Sequence, residues 1–257
     1  MTTPPLGRLG VEMFPDRLIA ISTLIFASLL LSCQTKNRST GPSSEDSQPA
    51  EGPLPTGYRL RRSYPTPNGK LWLLIDDRIS EKQLTEHWGN DGGEGIGPNL
   101  RPAILLLNAP EGQKRTLMEV PLADLEITTI QGPSVSIYQL TEDRSIGMGS
   151  YAGPSTTWFQ LTSQGVQHLQ AVDAHNHSEP LRVSKTLKTE WKAVADKSGM
   201  SKEILMLACR PSATGGKFRV TYTRFFFDGK QWQRRDRSES GFWESDGGDF
   251  PDRKAFP

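Results

Sequence analysis

Residues 217–237 read KFRVTYTRFFFDGKQWQRRDR, a pattern that indicates a β-rich fold. Apolar side chains alternate with polar ones toward a run of three phenylalanines, which stops at Asp228-Gly229, a dipeptide typical of a tight hairpin turn. The alternating apolar positions are Phe218, Val220 and Tyr222. A period of two is the pattern of a strand with one buried face. We therefore predict an antiparallel hairpin with strands at 217–227 and 231–237.

Similar short, β-compatible segments recur on the N-terminal side of this hairpin. Further strands are predicted at 70–75, 103–107, 115–120, 134–140, 145–151, 156–161, 166–172 and 203–211, with turns at 108–112 and 162–165. Two short helices are also predicted. Residues 79–88 have Ser80 as N-cap and Gln83 three residues later, and residues 185–197 place Leu187, Trp191 and Val194 on one helical face.

These segments predict a mainly β fold, an antiparallel sandwich, barrel or meander with one or two short helices. No repeat of blade length supports a propeller. Residues 58–257 contain all six tryptophans and are predicted to form a single globular domain. They carry 26 Lys and Arg against 24 Asp and Glu, a net charge of about +2 that does not indicate a nucleic-acid partner. The glycine-rich stretch 89–98 lacks the lysine and hydroxyl of a phosphate loop and is predicted to be a loop or lid.

The N-terminal region has the pattern of an export signal. Residues 18–31 are apolar over about 14 residues, shorter than the ~20 that span a bilayer as a helix. The apolar run ends in Leu30-Leu31-Ser32-Cys33, and residues 34–57 are polar and rich in proline, serine and glycine. This arrangement resembles the signal peptide and lipobox of bacterial lipoproteins. A plain secretory signal and an uncleaved anchor are the alternatives.

The resemblance implies a destination and a covalent modification. In that family residues corresponding to 1–32 are removed, and Cys33 receives lipid that includes fatty acyl chains such as palmitate. Gln34 after the cysteine implies the outer membrane if the host has two membranes, and Met13 is an alternative start. We expect residues 33–57 to form a disordered linker with a reach of roughly 25–30 Å from the membrane.

Cys209 is the second of the two cysteines in the chain, so the domain cannot form an internal disulfide after Cys33 is lipidated. It lies in an apolar run that ends at Pro211, which predicts a packed, inert thiol in a strand. A reactive thiol would need a basic partner and partial exposure, for which Arg210 is the nearest candidate in the sequence.

One cluster could carry metal chemistry. Asp173, His175, His177 and Glu179 occupy every second position, so in an extended strand they would share one face and offer ligands suited to zinc or a similar divalent ion. The alternative is a solvated turn after a strand. Signatures of serine hydrolases, zinc peptidases and penicillin-binding enzymes are not found in the sequence.

The last thirty residues concentrate arginine and aromatic side chains. Arg234, Arg235 and Arg237 follow Trp232, and aromatic residues continue to Phe256. Such residues serve as interface anchors, but a terminal segment of this kind is predicted to pack on its own domain. We predict a cell-envelope lipoprotein whose β-rich domain binds or scaffolds an envelope protein or glycan, with no cofactor beyond the lipid. The alternative is a metal-dependent envelope hydrolase using the Asp173, His175, His177 and Glu179 cluster.

Overall fold

The computed structural model describes residues 53–88, 100–128, 130, 136–143, 149–197, 199–213 and 215–257. Cys33, most of the predicted linker and the predicted loop 89–98 lie outside these residues. Residues 53–57 contact the folded part, since Lys114 Nζ donates to the Pro53 carbonyl and the Asp77 amide donates to the Gly57 carbonyl. Among the described residues, no helix has the length and apolar character needed to cross a membrane.

The described residues are mainly β, as predicted. The elements in chain order are β1 (Tyr58–Thr66), β2 (Gly69–Asp76), α1 (Glu81–Trp88), β3 (Ala103–Asn108), β4 (Lys114–Val120), β5 (Leu122–Thr128), β6 (Ile137–Asp143), β7 (Ser155–Thr162), β8 (Gly165–His168), β9 (Gln170–Val172), β10 (Ser178–Pro180), β11 (Arg182–Ser184), β12 (Thr189–Ala195), β13 (Ser201–Pro211), β14 (Phe218–Phe227) and β15 (Trp232–Ser240).

The strands form three sheets within the described part of the chain. The first has the order β1-β2-β3-β4, the second β11-β7-β6-β5 with β8 also paired to β7, and the third β10-β9-β15-β14-β13-β12. The pairing of β9 with β15 is parallel and the other strand pairings are antiparallel. The hairpin predicted from residues 217–237 is β14 and β15, joined at Asp228-Gly229.

The second sheet contributes side chains to two cores. In β7, Phe159 faces the first sheet and stacks on Tyr138, with ring centroids 5.4 Å apart. The neighbouring Trp158 faces the third sheet and meets Trp191 edge-on at 5.5 Å. Consecutive strand residues point to opposite faces, so β7 is buried on both sides. Of the predicted architectures, the structure therefore has the sandwich, with the second sheet between the other two.

Helix α1 confirms the predicted capping pattern. The backbone amide of Gln83 donates to Ser80 Oγ at 3.2 Å, and the backbone amide of Ser80 donates to Gln83 Oε1 at 2.9 Å. These reciprocal hydrogen bonds form a capping box. Leu84 on the inner face of the helix is buried in the core between the first and second sheets. Local hydrogen bonding and one apolar anchor thus fix this short helix.

The helix predicted at 185–197 is wrong. Residues 189–195 form strand β12, paired with β13 from Thr189 opposite Ala208 to Ala195 opposite Ser201. Leu187, which the helical spacing placed on a buried face, is 40% exposed. Thr189, Trp191 and Val194 also suit a strand, and pairing with a long neighbouring strand decides between the two conformations.

Two predicted strands change in the structure. The strand at 166–172 is divided at Leu169, because β8 belongs to the second sheet and β9 to the third. The strand predicted at 145–151 is wrong for residues 149–151, which lie in a turn closed by the Ala152 amide and the Gly149 carbonyl. The remaining residues of that segment lie outside the described part.

The C-terminal tail, residues 241–257, packs on the outer face of the third sheet, as predicted. Trp243 and Phe250 contact the buried cluster of Leu207, Cys209 and Val220. Phe256 stacks on Phe250, with ring centroids 5.6 Å apart. Cys209 is fully buried, which confirms that its thiol is packed.

Candidate functional site

A groove of about 380 Å³ lies on the inner face of the third sheet, beside β11. Three arginines and one glutamate line it together with small and apolar side chains. The lining residues are Ala171, Glu179, Pro180, Arg182, Val183, Ser184, Thr189, Met206, Ala208, Arg210, Phe225 and Arg234. The charged groups therefore surround an apolar floor.

Strand alternation places the floor and the charges on one face. Met206, Ala208 and Arg210 are alternate residues of β13 and share the face of Ile204, which is buried in the core below. Phe225 of β14 lies opposite Ile204, and Arg234 of β15 lies opposite Phe225. The groove thus begins where the core between the second and third sheets ends.

Two arginines face each other across strands at one end. Arg210 of β13 and Arg219 of β14 are direct partners in the antiparallel register, and both are exposed. Like charges at directly opposite positions repel. Among the described residues, no carboxylate lies within salt-bridge distance of either guanidinium. Arg210 lines the groove and Arg219 lies beside it on the neighbouring strand, outside the lining, so this end carries one unmatched lining charge with a second arginine next to it.

Tyr151 lies beside Arg210. The Arg210 guanidinium stands over its ring, 5.0 Å from the centroid, and the tyrosine is 40% exposed. The turn that carries Tyr151 is held by the Lys188 amide, which donates to the Ser150 carbonyl, and the Cys209 amide donates to the Lys188 carbonyl. Backbone hydrogen bonds thus connect the turn of Tyr151 to the strand of Arg210.

The other end of the groove has balanced charge. Arg234 Nη1 donates to Glu179 Oε2 at 2.8 Å, and Arg234 Nε lies 2.9 Å from Asp236 Oδ2. Thr223 Oγ donates to the other oxygen of Asp236 at 2.6 Å. The two carboxylates orient the arginine and reduce its attraction for a further anion. This end offers both hydrogen-bond donors and acceptors.

The register gives the distance between the two ends. Arg210 lies six residues along β13 from Ile204, and Arg234 lies two strands away at the level of Ile204. Their Cα atoms are therefore roughly 20 Å apart, from ~3.3 Å per residue and ~4.8 Å per strand. A ligand that contacts both ends has to be elongated.

Arg182 of β11 completes the charged lining. It also acts on His168, whose pKa is lowered by burial first and by the positive charge of Arg182 second. The second sheet thus adds a cation to a groove that is otherwise built on the third sheet.

The structure places the predicted metal cluster in a turn. Asp173 accepts hydrogen bonds from the backbone amides of His175 at 2.7 Å and His177 at 2.9 Å, which lowers the pKa of its carboxyl. Asn176 has a φ of 63°, a left-handed conformation that asparagine tolerates in turns. The extended geometry on which the metal prediction depended is therefore wrong. Across the described residues, no three or more His, Cys, Asp or Glu side chains are grouped to hold a metal ion.

Glu179, the fourth member of the predicted cluster, belongs to the groove through its ion pair with Arg234. The neighbouring Arg235 and Arg237 lie on the outer face of the sheet, where Arg237 donates to the Ala255 carbonyl of the tail. Metal binding and hydrolysis stay predictions that these contacts do not test.

The pairing of Arg210 with Arg219 is not among the features predicted from the sequence. A signal was present, since a strand at 203–211 followed by one at 217–227 indicates an antiparallel pair. Reading which residues face each other would have required the register across residues 212–217, which the sequence patterns do not fix.

The fold and the groove define a stacked, mainly antiparallel β-sheet protein with an arginine-containing groove on one sheet face. In comparisons with protein-family models, curated proteins and solved structures, nothing matches this chain.

Proposed function

We propose that this protein is a cell-envelope lipoprotein, anchored through lipid on Cys33, whose β domain is a binding module for an anionic ligand. The Arg210 and Arg219 pair carries the binding part of the proposal. Two arginines that are opposite each other in the strand register, with no carboxylate partner among the described residues, favour a bound anion, because charge-assisted hydrogen bonds to arginine are strong and geometrically specific. The resemblance of residues 30–33 to a lipobox supports the anchor.

The anchor is tested by a Cys33→Ser variant. We expect complete loss of labelling by a radioactive or alkyne-tagged fatty acid, and accumulation of the unprocessed precursor, because the hydroxyl does not take the place of the modified thiol. Cys209→Ser is the matched control and should label like the parent protein. Equal labelling of Cys33→Ser and the parent protein would exclude lipid attachment at this residue.

The binding site is tested by an Arg210→Gln/Arg219→Gln variant on immobilised heparin, a sulfated polyanion. We expect affinity to fall at least about tenfold, since each charge-assisted hydrogen bond contributes about 1.5–3 kcal/mol. The elution salt concentration and an equilibrium titration measure the change. The unliganded variant should be as stable as the parent or slightly more stable, because a like-charge repulsion has been removed.

Lys202→Gln/Lys230→Gln is the matched control for net charge. Lys202 lies in β13 and Lys230 lies in the turn between β14 and β15, and neither residue lines the groove. This control should keep the parent affinity. If both double variants lose affinity equally, the protein binds anions only through its overall charge, and the proposed groove site is wrong.

A further inference from the structure

We propose that the anionic ligand is an acidic glycan, an elongated sugar chain with carboxylates, lying along the groove from the Arg210 and Arg219 pair to Glu179 and Arg234. This inference rests on the proposed function, because it assigns the ligand class of the same site. Three features of the groove support it, namely its two unlike ends, its apolar floor and its position on a sheet face.

The two ends differ in what they attract. The Arg210 and Arg219 end takes a negative charge. At the other end, the carboxylates of Glu179 and Asp236 repel a second anion but accept hydrogen bonds from hydroxyl groups, while Arg234 donates them. The Glu179 side chain is 63% exposed, so its remaining acceptor sites are open to a ligand. A chain that carries carboxylates and many hydroxyls matches both ends.

The floor between the ends suits the apolar faces of sugar rings. Met206, Ala208 and Phe225 line it, and the exposed ring of Tyr151 stands beside the cationic end. Aromatic rings with a polar tip are suited to ligands that are partly apolar and partly hydroxylated. A uniformly charged chain would leave this floor without a matching surface.

The floor of the groove favours a sugar chain over an acidic peptide. Peptides in extended form gain affinity by pairing their backbone with a free sheet edge. The floor of this groove crosses β13, β14 and β15, which are interior strands whose backbone groups pair with their neighbours, and residues of the edge strands β10, β11 and β12 line its sides. The floor therefore offers side chains rather than backbone hydrogen bonds, and a sugar chain can use these side chains through its hydroxyls.

The test is calorimetric titration of the full-length protein in detergent with four probes. The probes are oligogalacturonate, oligomannuronate, the methyl ester of oligogalacturonate and poly-glutamate of matched charge. We expect at least one uronate oligomer to bind about tenfold more tightly than poly-glutamate, since it gains hydrogen bonds at the second end. The methyl ester should not bind measurably, because it lacks the charge for Arg210 and Arg219.

A Glu179→Gln variant separates the ligand classes. For a glycan, loss of the carboxylate removes a strong acceptor of hydroxyl hydrogen bonds, and we expect roughly five- to tenfold weaker uronate binding. For poly-glutamate, removal of a negative charge should strengthen binding. Uronates that bind no better than poly-glutamate, or that bind more tightly to Glu179→Gln, would overturn the glycan assignment while leaving the anion site intact. If the Arg210→Gln/Arg219→Gln variant instead bound every probe as tightly as the parent protein, the proposed function would be overturned.

Discussion

Replacement of Asp76 by alanine is expected to lower the free energy of unfolding by about 3 kcal/mol. The Asp76 side chain is fully buried at the end of β2. It accepts hydrogen bonds from the Arg78 side chain, at 2.9 Å for Nε, and from the backbone amide of Arg101 at 2.9 Å. The variant would leave a cavity and would remove the acceptor of two part-buried backbone amides, those of Arg78 and Arg101. Arg78 is half-exposed and regains water, so the loss stays below that of a wholly buried ion pair.

Urea denaturation of the two proteins measures this change. Asp77→Ala is the matched control, because Asp77 is the exposed neighbour and its backbone amide bond to Gly57 is kept. We expect the control to differ from the parent by less than about 0.5 kcal/mol. Equal unfolding midpoints for Asp76→Ala and Asp77→Ala would contradict the assigned role of the buried carboxylate.

The Asp76 contribution should also depend on pH. Hydrogen bonds from the Arg78 side chain hold the pKa of the Asp76 carboxyl far below its ordinary value of 3.8, although burial acts in the opposite direction. A lowered pKa in the folded state stabilises the protein fully above the unfolded value and loses this effect as the pH falls below it. The difference in stability between the parent and Asp76→Ala should therefore be constant at neutral pH and shrink below about pH 4.

The elements that the sequence predicted correctly are those with local determinants. The β14 and β15 hairpin has a turn dipeptide between two alternating strands, and the capping box of Ser80 and Gln83 is formed by residues three apart. Both signals act within a few residues. The helix prediction for residues 189–195 is wrong because helical spacing and strand propensity conflict there, and pairing with β13 favours the strand.

The site was less predictable because it depends on register and on the crossing of sheets. Arg210 and Arg219 are nine positions apart in sequence and meet only through the pairing of β13 with β14. Arg182 reaches the groove because the chain leaves the third sheet after β10 and enters the second at β11. Asp173 was singled out by alternation, but its hydrogen bonds to His175 and His177 amides favour a turn over a strand.

Cys209 provides a direct measure of how firmly the C-terminal tail is held. In a Cys33→Ser background it is the single thiol of the chain. A Phe250→Ala/Phe256→Ala variant removes the stacked pair that helps hold the tail on the sheet. We expect the rate at which Cys209 reacts with a disulfide reagent under native conditions to rise about 100-fold, because the loss of one buried and one half-buried aromatic side chain costs about 3 kcal/mol of local stability. Stopped-flow mixing with the reagent measures this rate through the absorbance of the released thiolate.

The control for this experiment lies in the same tail. Phe242 is 56% exposed and contacts Phe218 and Lys188 rather than the Cys209 cluster. Phe242→Ala should therefore change the labelling rate by less than about threefold, since little buried area is lost. Global stability has to be measured for each variant, because global unfolding would also expose the thiol. If Cys209 labels faster in Phe250→Ala/Phe256→Ala while the urea midpoint falls only slightly, the tail opens locally and the sheet beneath it stays folded. If labelling rises only in proportion to global unfolding, the tail is an integral part of the cooperative unit.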